Sequence, residues 1–482
     1  MTADTVGIRM MRFVRALAAL AGFLCLFSAP GRCAESGATA VGFLVCSPGP
    51  VSDRVRIELR LGIRNGSDAG RTYKVGFYLD RAVDAALVHS ESVTVPAGAG
   101  RLVSHWLSTK ALWGRHRLLY RVRTPGSAAM LGEWPIEVFA SDTPALPWAQ
   151  CVWLDPGNMA PAVSRAQKAT PSEVRRMVDA MRDIGATFIL ISYVEGVTFN
   201  MGPFYPSKVP ELGKPALDFD AIGVVLDQAE RNGQHVILGL GRGADLTLVY
   251  DGVKDPARVA KALDLGRRVT RELWGRYSRY RSLYGWYLSH EPTDLAAAAA
   301  FLNPMADFMH SLAPEKVVVV APSGTPILSP AVLAAARYDV LTYQDAVGPG
   351  YVPYKYTWNP ENRLAQLDDV CRAYCEAHKG SGKHLWSDTE TWEMAGPAYG
   401  NPYPAAFARV LRQMEIARKH FDTLTLYEFM ATMTAPGTRM GPCDPRSMEL
   451  YRSVKAHFTS QLAEARARTG RLRSKTAKET HR

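Results

Sequence analysis

The chain has 482 residues, 47% of them hydrophobic and 21% charged, which are ordinary values for a globular protein with a large core and more than one domain. Its net charge of +11 invites a nucleic-acid reading until it is localised: residues 1–34 carry +3, residues 461–482 carry +5, and only +3 is left between them. A basic leader and a basic tail around a near-neutral body exclude a nucleic-acid surface built into the fold.

The leader comes first. Arg9, Arg12 and Arg15 precede the apolar run 16–27, and small residues follow around Ala34 and Ser36. That is the layout of a secretory signal peptide over 1–36, too short to span a membrane comfortably. It predicts a periplasmic or extracellular protein with no membrane span after cleavage. Without the leader five cysteines remain: Cys46, Cys151, Cys371, Cys375 and Cys443. An odd count excludes a fully paired framework. They read as structural thiols, with a Cys46–Cys151 bridge as the alternative. No His or Cys is spaced to complete a metal site around Cys371 and Cys375, and no metal or cofactor is expected.

Residues 37–145 read as all-β. The stretch 54–63 alternates charged and apolar residues, Asn65-Gly66 makes a turn, and 73–79 resumes the alternation. Further short runs at 93–98, 115–122 and 134–139 complete about seven strands, the pattern of an immunoglobulin-like sandwich. A linker rich in Pro and Ala, 143–147, closes it.

From Trp148 short apolar runs alternate with amphipathic stretches. The runs are 150–155, 187–195, 235–241, 283–291, 316–322, 338–345, 384–390 and 423–429. Helical patterns lie between them, for example at 172–184, 220–232, 255–280 and 362–378, with Gly185 and Gly233 where helix ends belong. Eight such units predict an α/β fold, a (β/α)8 TIM barrel over 146–460. The basic segment 461–482 reads as a frayed, solvated end.

A barrel of this kind forms its site at the C-terminal ends of the strands. Polar residues gather there: Asp155, Glu195, Arg242, Glu291, Ser323, Tyr343 with Asp345, Asp388 with Glu390, and Glu428. Each carboxylate alone has a structural alternative as a helix cap or an ion-pair partner. Glu291 and Glu390 stand out because they end the fourth and seventh strands. Tyr287, Ser289 and Glu291 share one face of a strand, as do Trp386, Asp388 and Glu390, so both glutamates can meet above the packed interior. Two converging carboxylates are what glycosidic-bond hydrolysis requires, one to protonate and one to attack or activate water. Trp153, Tyr193, Trp358, Trp392 and Tyr399 are candidates to line a sugar cleft, and 348–362 reads as a substrate-binding loop. No second His follows His290-Glu291 at metalloprotease spacing, and no Gly-x-Ser-x-Gly elbow occurs. Gly239-Leu240-Gly241-Arg242-Gly243 lacks the dinucleotide fingerprint.

The placement of Glu291 in His290-Glu291-Pro292 and of Glu390 after strand seven resembles the large clan of retaining TIM-barrel glycosidases that includes cellulases and mannanases. Residues 339–348 are also similar to an uncharacterised bacterial family of predicted glycosyl hydrolases, a likeness covering about 148–455. The resemblance implies Glu291 as acid/base, Glu390 as nucleophile and Tyr343 as the hydroxyl that orients Glu390. It also implies a polysaccharide substrate. His290 stands where the clan has Asn beside the sugar, a departure that favours a rival reading: a non-catalytic polysaccharide-binding protein on a glycosidase barrel. Inversion, with Asp388 or Asp345 as base, is the third alternative.

Overall fold

Alternation builds the N-terminal part of the chain into strands. The structure, a computed structural model, describes residues 39–124, 128–159, 169–196, 201–241, 255–324, 329–352, 355–394, 396 and 402–480. The leader over 1–36, Arg242 and Tyr399 lie outside the described residues. Eight strands come first: β1 (Thr39–Cys46), β2 (Val51–Ser52), β3 (Arg56–Asn65), β4 (Arg71–Leu79), β5 (Leu87–Val95), β6 (Gly100–Ser108), β7 (Gly114–Arg123) and β8 (Met130–Phe139). They pair as a three-stranded sheet, β1-β3-β6, and a five-stranded sheet, β2-β8-β7-β4-β5. The inward residues of both sheets, among them Ile57, Leu59, Tyr73, Val75 and Val138, share one buried apolar cluster.

The predicted barrel follows. Its strands are β9 (Cys151–Leu154), β10 (Phe188–Ile191), β11 (His235–Gly239), β12 (Leu283–Leu288), β13 (Val317–Val320) and β14 (Val340–Gln344). After β14 comes a hairpin, β15 (Tyr351–Val352) and β16 (Lys355–Tyr356). Then come β17 (His384–Glu390), a second hairpin of β18 (Trp392–Met394) and β19 (Pro402–Pro404), and β20 (Thr425–Tyr427). Strands β9 to β14, β17 and β20 close an eight-stranded barrel, parallel at every seam.

The helices between strands begin where the sequence supplies caps. Thr170 caps α1 (Pro171–Asp183), Asp220 caps α2 (Ala221–Asn232), Asp255 caps α3 (Pro256–Tyr277) and Asp294 caps α4 (Leu295–Leu312). Ser329 caps α5 (Pro330–Ala335) and Asn359 caps α6 (Pro360–His378). Each side chain accepts a first-turn N–H, a contact whose loss costs about 1 kcal/mol. Gly233 ends α2 in the left-handed region, φ 70°, where a side chain would be strained. Helices α7 (Phe407–Ala417), α8 (Phe429–Thr432) and α9 (Pro445–Thr480) complete the order.

The period of two along each strand sorts side chains into two layers. Phe188, Leu190, Ile237, Tyr287, Val319, Trp153 and Trp386 fill the barrel interior. Ile189, Trp286, Leu288, Leu341 and Tyr343 face outward, into the layer shared with the helices.

The three-stranded sheet abuts the N-terminal end of the barrel, and the described residues of both belong to one compact unit. Arg60 of β3 donates to Glu315 O at 3.0 Å and pairs with Glu58 and Asp339, each at 2.9 Å. Glu58 also meets His384, the first residue of β17, at 3.4 Å. Tyr284 donates to Val45 O, and Leu44 and Cys46 join the interior apolar cluster. Glu315 lies against Gly42 and Gly62; a Cβ at Gly42 would meet only its carboxylate, but one at Gly62 would also come 2.9 Å from the Glu315 backbone N, so Gly62 is the position where the junction demands glycine.

Two expectations need correction. All five cysteines are free thiols, so there is no Cys46–Cys151 bridge: both are buried but stand on different strands, in separate sheets. The basic tail is not frayed but continues as α9, 36 residues long. Ala465 packs with Phe139 and Trp148, Thr469 accepts from Ala140 N at 3.0 Å, and Arg468 pairs with Asp142. Among the described residues no helix is long and apolar enough to cross a membrane.

Candidate active site

The C-terminal end of the barrel carries five carboxylates that the strands bring together: Asp155, Glu291, Asp388, Glu390 and Glu428. Asp388 and Glu390 sit on the inward face of β17 and are buried. Glu291 follows β12 on the same side as Tyr287, with φ 35°, a backbone region that a non-glycine residue adopts only under local constraint. Burial pushes the Asp388 carboxyl well up, and the charges of Asp345, Glu390 and Glu291 push it further. Glu390 is pushed up to about 8, by burial first and Asp345 second. Glu428 is raised by burial and by Asp155. Crowded like charges in a buried site favour the protonated forms.

Glu390 is held by atoms from three segments. Gly348 N donates to its Oε2 at 2.6 Å, and a Cβ on Gly348 would meet Trp392 O at 2.6 Å. Its backbone N–H donates to Asp345 Oδ1 at 3.3 Å. Gln413, on α7, donates to Asp345 Oδ2 at 2.5 Å and to Glu390 O at 3.3 Å. Arg409 in turn donates to Gln413 Oε1, to Glu393 Oε1 and to Trp392 O. On the opposite side, Tyr193 donates to Asp155, Gly157 N donates to Asp155 Oδ1 at 2.8 Å, and Asn158 donates to Glu428 Oε1 at 3.1 Å.

Several candidate residues stand elsewhere than expected. His290 has the parity of Trp286 and Leu288, and its ring packs 4.2 Å from Phe301 of α4, behind the barrel wall. It faces α4 rather than the carboxylates of the barrel mouth. Tyr343 shares the outward parity of Leu341, packing 4.2 Å from Tyr374 and 5.9 Å from Phe421, with its hydroxyl against Arg363. It therefore does not orient Glu390. Asp345 lies behind the wall as well and supports Glu390 through the backbone. Trp153 is interior floor, edge-on to Tyr287 and Tyr427, and Trp392 is buried; neither offers a stacking face in a cleft. Tyr193 and Trp358 are the half-buried aromatics of the set. Glu195 is buried near Gly241, in the hollow that His290 and Phe301 also line.

Sequence reasoning missed Gln344, the inward residue at the end of β14, whose Nε2 lies 3.4 Å from Ala321 O. Counting parity from Val340 would have found it. Gln413 and Arg409 carry no local signal. Among the described residues no group of three or more His, Cys, Asp and Glu side chains is arranged to hold a metal ion.

The model of a domain of unknown function, DUF4434, matches residues 155–440. No curated protein matches the chain. Among solved structures, a candidate alpha-L-fucosidase from Bacteroides thetaiotaomicron is 17% identical with a TM-score of 0.49, over 65% of this chain and 93% of that one. A GH2 beta-galacturonidase from Eisenbergiella tayi is 14% identical with a TM-score of 0.41, over 84% and 69%. A beta-D-glucuronidase from Dictyoglomus thermophilum is 11% identical with a TM-score of 0.42, over 87% and 68%.

Proposed function

The chain belongs to the DUF4434 family, and from its barrel mouth we propose that it is a glycoside hydrolase cleaving O-glycosidic bonds of a polysaccharide with two carboxylates. One observation carries the reading: the glutamates after strands four and seven, Glu291 and Glu390, stand at one barrel mouth, near enough for both charges to add to burial and Asp345 in raising the Asp388 carboxyl. The roles follow the glycosidase resemblance. Glu291 protonates the leaving oxygen while Glu390 attacks the anomeric carbon; Glu291 then takes a proton from the water that releases the sugar. Gly348 and Asp345 fix Glu390, and Asp155 with Glu428 supply acceptors for sugar hydroxyls on the far side. His290, the feature that favoured a non-catalytic protein, lies behind the wall and no longer argues for it. The leader is read as an export signal, which supports a mature chain working in the periplasm or outside the cell, and the two-sheet unit is read as immunoglobulin-like.

A second reading has its own observation. Glu390, pushed up to about 8, holds a proton at neutral pH, as a general acid must, which reverses the two roles. Azide separates them on a 2,4-dinitrophenyl glycoside panel. If Glu390 is the nucleophile, Glu390→Ala with azide yields a glycosyl azide of inverted configuration; if it is the acid/base, the azide is of retained configuration. Glu390→Gln lowers sugar release by about 10²–10⁴-fold in either case. A parent protein that releases no sugar from any member of a polysaccharide panel sinks both readings.

A further inference from the structure

The loop after β14 carries a feature that the carboxylates do not use. It starts at Gly348 against Glu390, then folds back on itself: Thr357 N donates to Gly350 O at 3.1 Å and Trp358 N to Pro349 O at 3.0 Å. Three of its rings form a continuous patch. Tyr351 and Tyr356 lie 5.1 Å apart at 58°, and Tyr356 and Trp358 lie 5.4 Å apart at 25°. Tyr356 is 43% exposed at the crest, and Tyr351 and Trp358 are half-buried. Trp358 is held at φ 57°, where a bulky side chain is an outlier kept only by surrounding constraint. The Tyr351 ring reaches the loop after β13, where a Cβ on Gly324 would sit 3.6 Å from its hydroxyl. The patch therefore spans the fifth and sixth strand-end loops on the Glu390 side of the mouth.

Core packing does not account for an exposed Tyr356 ring flanked by two half-buried ones. We propose that Tyr351, Tyr356 and Trp358 form a distal subsite that stacks sugar rings of a glycan chain running outward from the carboxylates, which makes the substrate a polymer rather than a short glycoside. The proposal rests on the glycosidase reading. A pyranose presents a C–H face that packs on an aromatic face, and hydroxyls that meet Tyr Oη and Trp Nε1 at the ring edges. A stable protein partner needs an interface of roughly 1,200 Å² or more. The other large apolar side chains exposed among the described residues, Val83, Leu87 and Leu131, lie on the two-sheet unit, so this patch has the dimensions of sugar rings and not of a protein interface.

The test is calorimetric titration of the Glu390→Gln protein with cello-, manno-, xylo- and chito-oligosaccharides of two to six units. At least one series is expected to bind about tenfold or more tighter at six units than at two, a difference of about 1.4 kcal/mol. Tyr351→Ala/Tyr356→Ala removes that increment, and Tyr356→Trp retains it. An increment that survives the double variant, equal losses at two and six units, or binding by no series overturns the subsite. So does self-association of the parent that Tyr356→Ala abolishes. Turnover separates this proposal from the reading beneath it. Aryl-glycoside hydrolysis without length dependence overturns the subsite and keeps the enzyme. Length-dependent binding with no turnover by the parent overturns the enzyme and keeps the subsite.

Discussion

Glu58 and Glu390 are buried glutamates at opposite ends of one barrel, and their surroundings treat them in opposite ways. At the N-terminal end burial opposes the Glu58 charge, but Arg60 and then His384 overcome it and leave the carboxyl at about 2. Asp339 beside it is likewise carried below the usual carboxylate range, by Arg60 and His310 against burial. At the C-terminal end burial raises Asp388, Glu390 and Glu428, the largest neighbouring charges are more carboxylates, and the Gly348 amide with Arg409 and Arg363 offsets only part of the push on Glu390. Depth is the same at both ends; the sign of the neighbour decides. The end with matched cations joins two units of the protein. The end that crowds like charges costs stability, and such sites persist where chemistry uses them.

The largest way to break this contrast is to remove the cation. Arg60→Met leaves Glu58 and Asp339 buried without their shared partner, and unfolding in urea should show a loss of about 3–5 kcal/mol. A loss below about 1 kcal/mol would mean that apolar packing, not the ion network, holds the junction.

The pH dependence of stability sharpens it next, because the two ends act with opposite sign. Glu58, lowered from 4.5 to about 2, contributes stability that is present above pH 4.5 and lost as pH falls through 2. In His384, burial opposes the charge, but Cys46 and Glu58 raise it from 6.5 to about 10. Its contribution is full below pH 6.5 and lost as pH rises through 10. Glu390, raised from 4.5 to about 8, adds a penalty that is absent below pH 4.5 and complete above 8. Stability should therefore peak near pH 4.5, fall from there as Glu390 is forced to ionise, and fall further above 6.5 as the His384 contribution is lost. Glu390→Gln should flatten the decline between 4.5 and 8, and His384→Gln the decline between 6.5 and 10. Melting curves that are unchanged by either variant would sink this account.

The smallest expected effect comes from Gln413→Leu. Losing the donor at Asp345 Oδ2 favours a proton on Asp345, which removes a negative neighbour of Glu390 and lowers its pKa toward the ordinary range. The kcat/KM limb governed by Glu390 should move to lower pH, with a loss of only several-fold in the maximum, a fraction of a single removed acid or base. A uniform loss with no shift in the limb would make Gln413 a packing residue only.

Much of the fold was legible because period and run length are local. Eight apolar runs became eight barrel strands, and the change in texture at Trp148 separates two clusters of buried residues. The candidate glutamates were legible by count and by parity. His290 and Tyr343 were misassigned because resemblance suggested them while the same parity already turned them outward, alongside Leu288 and Leu341. Gln413, 23 residues beyond Glu390 on a helix, could not be found without the fold that lays α7 behind β17. The tail misled through its charge: the few small side chains that dock, Ala465 and Thr469, are outnumbered by exposed arginines and lysines.

That docked helix has a consequence for how the two-sheet unit can act. Together with the Arg60 junction and the linker, where Ala145 N donates to Arg418 O at 3.2 Å, it leaves no hinge between the sheets and the barrel. A binding module on a flexible tether searches a volume, and its benefit is set by how often it meets the catalytic mouth. Here the distance is set by the fold. Any glycan held by the sheets sits at one fixed offset from Glu390, so its local concentration there is decided by chain length and direction alone.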